Sequence, residues 1–250
     1  MTKRKDSKSS PQLAPFAYGD YQRARAGLRR ALSGPGFYAL LTGATGMGKT
    51  CLFRETSASL DRHRHHMLYL SSSKTSLAGI VRFVAQKLRI TPRFSYLETV
   101  DSLAEAIVAQ ATHMVLWVDE ADQLDSNLLQ EIRILSEFSP DAAQLFSVVL
   151  SGLPPLLTTL DAPALFPLKR RISLGWSLNG LSRGELDPFL VHRFGSSDFS
   201  RLPRAALDEL FERTQATPAL IDKVARRVLD ENHDPIDPEQ IHVALDTIGL

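Results

Sequence analysis

Cysteine is nearly absent. Cys51 stands alone among 250 residues, which excludes an intrachain disulfide framework and any cysteine-built zinc cluster. A single thiol suits a reducing compartment, and a cytoplasmic location is expected. Long apolar runs are missing too: none approaches the roughly 18–20 residues that span a bilayer, and the lysine-rich N-terminus lacks the apolar stretch of a secretory signal. No membrane association is expected. There is no tandem repeat, and net charge is small, at +1. What is present is ample apolar material, 44% against 23% charged residues, so the chain is not of the composition that stays disordered. Its length suits one large domain, or one domain with a small appendage, at about 100–200 residues each.

The small net charge conceals an uneven distribution. Residues 1–10 carry Lys3, Arg4, Lys5 and Lys8 against Asp6, whereas residues 179–250 carry eight basic and thirteen acidic residues. The positive surplus lies in a tail, residues 1–15, and in the first domain. A basic, serine-containing tail reads as a solvated arm, with a weaker reading as a salt-sensitive nucleic-acid contact.

Apolar runs of five to seven residues alternate with helical patterns, as parallel βαβ units do. Strands are expected at residues 37–42, 67–71, 113–118, 145–151 and 172–178. Between them, Leu77, Ile80, Val81, Val84, Ala85 and Leu88 form one apolar stripe at helical period, and Ser102 with Glu105 has the spacing of a capping box opening another helix. After residue 178 the alternation stops. Helices are expected at 182–194, opened by Ser182 and Glu185, at 204–214, at 217–231, and at 238–248, where Asp237 caps and Pro238 takes the first position. The expected organisation is a flexible tail (1–15), an α/β domain (16–178) and a small all-α domain (179–250).

The strongest chemical signal is the run Gly43, Ala44, Thr45, Gly46, Met47, Gly48, Lys49, Thr50, the phosphate-loop pattern, set between a strand and a helix. Backbone N–H groups at the helix start would wrap a phosphate, Lys49 would neutralise the β- and γ-phosphates, and the Thr50 hydroxyl would face a magnesium ion. Cys51 follows on the first helical turn; counted with this nucleotide-binding segment, it reads as a small packed residue rather than a nucleophile. A second motif supports the first. The apolar strand at 113–118 ends in Asp119, Glu120, Ala121, Asp122, giving one carboxylate for the magnesium ion (Asp119) and one to activate the attacking water (Glu120). Asp122 is expected to cap or solvate the next helix.

These motifs, with Leu150 to Leu156 and Leu168 to Ile172, resemble the AAA+ ATPases of the ExeA type, whose relatives include the transposition ATPases TnsC, TniB and IstB and, more distantly, the Orc/Cdc6 initiators. The resemblance covers residues 16–227. It implies a three-layer α/β domain with a parallel five-stranded sheet of order 5-1-4-3-2, a helical lid, ATP held between them, and ATP control of oligomerisation or partner binding. It also implies an arginine finger acting on a neighbouring subunit, for which Arg171 aligns better than Arg170, ordinary surface charge being the alternative. Two departures stand out. The family's glutamine after the strand-end glycine is Leu153, so the polar group that touches the γ-phosphate is Ser151 or is missing; Ser151 is assigned. The family's lid arginine is Ala219, and Lys223, one turn on, either replaces it or is a solvated lysine.

Residues 74–97 carry Lys74, Arg82, Lys87, Arg89 and Arg93 and no acid, which favours binding of double-stranded DNA through its backbone, without sequence specificity, over the polar face of an ordinary helix. His63, His65 and His66 lack a second ligand cluster and are not read as a metal site. Phe16 or Tyr18 stacks on adenine or packs in a core, and Trp117 is core. The combined expectation is an ATP- and magnesium-dependent ATPase acting as a nucleotide switch, a homo-oligomer with a transposase-type partner. The alternatives are an ATP-binding recruitment module with little hydrolysis, and an ExeA-like secretion-assembly ATPase, set second because these residues include neither a membrane span nor a peptidoglycan-binding extension.

Overall fold

A computed structural model describes residues 14–34, 36–71, 76–110, 112–138, 146–231 and 236–249. Residues 1–13 of the basic tail, Lys74, and Leu145 at the start of the expected fourth strand lie outside the described residues. The chain divides into two compact units, one comprising Gly19–Gly180 and the other joining the residues up to Tyr18 with Leu181–Leu250.

The first unit runs α1 (Gly19–Ala31), β1 (Tyr38–Gly43), α2 (Lys49–Ser59), β2 (His65–Ser71), α3 (Leu77–Lys87), α4 (Tyr96–Gln110), β3 (His113–Asp119), α5 (Ser126–Ser136), β4 (Phe146–Gly152), α6 (Pro155–Leu160), α7 (Phe166–Arg171) and β5 (Ile172–Leu178). The five strands form one parallel sheet in the order β2-β3-β4-β1-β5, the order the family resemblance implied. Strands covered on both faces should be apolar throughout, and β1, β3 and β4 are buried almost end to end.

Alternation sorts each strand's side chains between two layers. Tyr38, Leu40, Leu68, Leu70, Met114, Leu116, Val118, Val148 and Leu150 join the core cluster shared with α3 to α7. The opposite parity faces α2, where Phe53 meets the Tyr69 ring at 4.5 Å and the Trp117 ring at 5.4 Å. Trp117 has no exposed surface and is core, as expected.

The apolar stripe on α3 behaves as its period requires: Ile80, Val81, Val84 and Ala85 are buried. The start of α4 differs from expectation. The helix begins at Tyr96, six residues before Ser102, whose hydroxyl donates to the Glu98 carbonyl at 2.9 Å. Val100, Leu103 and Ile107 lie in the core, so apolar burial carries the helix upstream of the apparent capping box.

The second unit contains α8 (Arg183–Arg201, interrupted at Gly195), α9 (Leu207–Arg213), α10 (Pro218–Asp230) and α11 (Pro238–Thr247). Ser182 and Glu185 form a reciprocal capping box, as do Asp237 and Gln240, with Pro238 opening α11. Phe16 packs edge-on against Phe189 in this unit, 5.6 Å between ring centroids, and Tyr18 is buried. Both are packing residues here.

Candidate nucleotide-binding site

The loop from Gly43 to Gly48 leaves the carboxyl end of the interior strand β1 and enters α2, the usual position for a ligand crevice in an open parallel sheet. A Cβ at Gly43 would sit 2.9 Å from the Leu178 carbonyl oxygen, and Gly46 and Gly48 hold φ values of +86° and +100°, which glycine alone adopts without strain. Gly48 is the N-cap of α2 and no side chain caps the helix. The first-turn amides of α2 are therefore open to an anion. Met47 is buried, whereas Ala44 and Thr45 are exposed.

Lys49 Nζ donates to the Gly43 carbonyl at 2.6 Å and to the Ala44 carbonyl at 3.1 Å. Burial lowers its pKa, against the opposing attraction of Asp119, Asp122 and Glu120. Thr50 Oγ1 donates to Asp119 Oδ2 at 3.1 Å. A half-buried cation, open helix amides and a hydroxyl paired with a carboxylate fit a magnesium-bound polyphosphate: Lys49 and the amides suit the phosphates, Thr50 and Asp119 the metal.

Asp119 is buried and bonded on every side. Ser151 Oγ donates to Oδ1, the Glu120 N–H donates to Oδ1 at 3.1 Å, and the Tyr69 hydroxyl donates to Oδ2 at 2.5 Å. Burial alone would raise its pKa, but the bonds from Ser151, Tyr69, Glu120 and Thr50 outweigh that and hold it below the usual carboxylate range. Register explains the cluster. Tyr69 lies against Trp117 and Trp117 against Val149, so two residues on, at the same parity, the strand ends bring Asp119 and Ser151 together under α2.

Glu120 holds φ +55°, a left-handed conformation that costs a non-glycine residue about 1 kcal/mol or more. Its carboxylate is exposed and makes no hydrogen bond among the described residues. Asp122 departs from expectation. Asp125 caps α5, while Asp122 Oδ1 accepts from the Leu153 N–H at 2.8 Å and so ties β3 to the turn after β4. Cys51 also departs: it is exposed, because it lies on the solvent side of the first turn while its neighbour Leu52 takes the buried side.

Tyr69 and Tyr21 were missed in the sequence. Burial and the bond to Asp119 push the Tyr69 hydroxyl up to about 12, so it stays a donor. Its only sequence signal is parity, two residues before the end of a strand that terminates beside Asp119. Tyr21 lies under the loop, with a ring carbon 3.4 Å from where a Gly48 Cβ would stand. Its hydroxyl donates to Glu55 at 2.8 Å, and Arg25 bonds the same carboxylate at 2.8 Å, fastening α1 to α2.

Arg171 is not part of this cluster. It precedes Ile172, which pairs with the start of β1, whereas Gly43 pairs with Leu178 at the other end. A strand of this length separates the two by about 20 Å. Arg171 is exposed and pairs with Glu137 at 2.8 Å. On α3 and the loop after it, Arg82, Lys87, Arg89 and Arg93 are exposed and in no ion pair among the described residues, and Phe94 is fully exposed. Ala219 and Lys223 are both exposed on α10. No helix among the described residues is long and apolar enough to cross a membrane.

A family model described as an AAA domain matches residues 33–160. General secretion pathway protein A of Aeromonas hydrophila is 28% identical over 214 residues, covering 82% of this chain and 39% of that protein; the chain thus spans about two fifths of the relative it matches. Among solved structures, Aeropyrum pernix ORC2 in its ADPNP-ADP complexes aligns with a TM-score of 0.65 at 15% identity, over 96% of this chain and 70% of that one. Aeropyrum pernix ORC1 in complex with DNA aligns at 0.59 and 16% identity, over 95% and 66%. At such identities the likeness is one of fold.

Proposed function

The chain belongs to the AAA domain family, and on that premise we propose that it binds ATP with magnesium, hydrolyses it, and uses the bound nucleotide as a switch for self-assembly, DNA binding and partner recruitment in DNA transposition or a related mobile-element process. The observation that carries the chemical part is the convergence of Lys49, Thr50 and Asp119 at the mouth of β1, with the free carboxylate of Glu120 beside them.

In this reading Lys49 and the α2 amides hold the phosphates. A magnesium ion held by Thr50 and Asp119 would supply positive charge against the triphosphate. Glu120 orients a water and takes its proton as the water oxygen bonds the γ-phosphorus and the bond from that phosphorus to the ADP oxygen breaks. Ser151, expected to touch the γ-phosphate, has no exposed surface and spends its hydroxyl on Asp119, so in this reading it positions the Asp119 carboxylate instead. Arg171 is too far from its own chain's loop to serve it, which supports a role toward a neighbouring subunit's nucleotide.

The Tyr69 hydroxyl belongs to the metal side of the site. Tyr69→Phe is expected to raise the magnesium concentration that half-maximally tightens ATP binding by about 2- to 10-fold, the worth of one hydrogen bond, with magnesium-free affinity unchanged. A titration of a fluorescent ATP analogue at graded magnesium measures this, and an unshifted midpoint removes the role.

The unpaired cations from Arg82 to Arg93 and the DNA complex of the structurally similar ORC1 support backbone contact with duplex DNA. Arg82→Glu with Lys87→Glu is then expected to weaken unrelated duplexes alike and to flatten the dependence of affinity on salt. If deleting residues 1–10 removes the affinity and the double reversal leaves it intact, the tail is the binder.

The whole reading is tested by saturable ATP binding and by phosphate release with and without duplex DNA. Binding without release leaves a recruitment module, which the loss of a lid arginine at Ala219 favours. A secretion-assembly role is favoured by similarity to General secretion pathway protein A; it predicts no response of ATP turnover to DNA.

A further inference from the structure

The sheet has two edges, and among the described residues the β5 edge is lightly guarded. β5 reads Ile-Ser-Leu-Gly-Trp-Ser-Leu, without a charge or a proline. An edge strand presents a row of unpaired N–H and C=O groups, and natural edges are blunted by lysine, proline, a bulge or a cover. Among the described residues the edge has a bulge at Ser173 and, at its far end, the Asn179 side-chain amide, which donates to the Ser177 carbonyl at 3.5 Å. From Leu174 to Leu178 the strand runs in register with Ala39 to Gly43, and no strand pairs with its other side among the described residues. Ser173, Gly175 and Ser177 are exposed, and a Cβ at Gly175 would meet nothing within 4 Å.

The alternate residues Leu174 and Trp176 are half-buried and bound a groove of about 490 Å³ against α1. The indole lies directly over Gly27, where a Cβ would fall 2.2 Å from a ring carbon. Arg23 and Arg30 supply the charge of the lining. Helix α1 carries Arg23, Arg25, Arg29 and Arg30 against one acid, Asp20. Asp20 is taken up by Arg23 and by the Asn179 main-chain and side-chain amides, and Arg25 by Glu55. Arg29 and Arg30 are exposed and in no ion pair among the described residues. An apolar groove, an open strand edge and spare guanidinium groups thus occur side by side.

We propose that the β5 edge and this groove bind an extended acidic segment of a partner protein, which joins the sheet as a sixth strand. Main-chain hydrogen bonds to the open edge supply affinity, and alternate side chains supply selectivity: apolar ones against Leu174 and Trp176, carboxylates toward Arg30 and Arg23. The regular stretch of β5 is about 17 Å long, enough for five residues of partner. The chain's own N-terminal tail is basic and does not complement this surface. A nucleic acid would use the arginines but neither the open edge nor the apolar floor. Leu178 at the end of the edge pairs with Gly43 of the phosphate loop, but Leu174, Trp176, Arg23 and Arg30 take no part in that site, so the proposal stands apart from the reading of it.

The test uses the full chain and a fluorescein-labelled decapeptide of alternating valine and glutamate, followed by anisotropy at pH 7 and moderate salt. Saturable binding is expected, together with slowed amide exchange confined to residues 172–178. The same peptide with lysine for glutamate should not bind, and one with every peptide nitrogen methylated should bind at least tenfold more weakly. Arg23→Glu with Arg30→Glu should weaken the acidic probe at least fivefold without changing the far-ultraviolet circular dichroism. The proposal is overturned by absence of saturable binding, by undiminished binding of the methylated probe, which would leave charge attraction alone, or by a short DNA duplex that protects the same β5 amides and loses that protection in the double variant.

Discussion

Glu120→Gln is expected to lower ATP turnover by at least about 100-fold, the usual worth of a positioned base, while ATP stays bound. Glutamine keeps the shape and the hydrogen-bonding capacity of the side chain and removes only its ability to take a proton. The position suits such a change. The carboxylate makes no hydrogen bond, and the left-handed backbone that presents it is fixed by the N–H donating to Asp119, not by the side chain. Phosphate release and retention of labelled ATP on a filter measure the two halves of the expectation. A variant as active as the parent would mean that another group organises the water, and the assignment of Glu120 would fall.

Lys49→Ala is expected to reduce ATP affinity by roughly 100-fold or more, since charge-assisted bonds to phosphate are each worth about 1.5–3 kcal/mol. Its effect on folding should be small and of the opposite sign. Burial depresses the Lys49 pKa, so the folded state holds this proton less tightly than the unfolded chain does, and the charged side chain costs the fold stability at neutral pH. Removing it should leave the melting temperature unchanged or slightly raised. The linkage has a direction in the parent protein too: the penalty is present below the unfolded-state pKa and relaxes as pH rises toward it. Binding isotherms and thermal unfolding of the same preparation separate the two effects. Unchanged ATP affinity would remove the phosphate-loop assignment, and a collapse of the melting temperature would show that the side chain serves the core.

Much of this architecture could be read from local pattern. The five apolar runs became five strands because a parallel sheet covered on both faces needs little besides apolar residues, and the glycine loop stood between a strand and a helix as its spacing implied. What escaped notice was governed by pairing across strands. Tyr69 is unremarkable in sequence; its hydroxyl reaches Asp119 only because β2 and β3 end together at matching parity. Asp122 looked like a helix cap because it precedes α5, yet its carboxylate reaches the backbone of Leu153, whose proximity no local rule announces. At Ser102 a local rule was satisfied and overruled, since Val100 and Leu103 lie on the buried face of a helix that starts earlier. Residue type alone points Cys51 to packing, whereas its angular position on α2 decides its exposure.

The strand order bears on how the chain is made. β1 lies between β4 and β5, and Phe37, at its threshold, bonds to Ser147 across 110 residues of chain. At the ~5–20 residues per second of synthesis, β1 leaves the ribosome roughly 5–20 s before either neighbour exists. During that interval Tyr38 to Leu41 is an apolar segment with neither neighbouring strand, while β2 and β3, consecutive strands that are also adjacent in the sheet, are both made before β4. A nascent chain stopped before β4 would therefore expose a future interior strand to aggregation, and the glycine loop, which hangs from β1, would be among the last features of the domain to take shape.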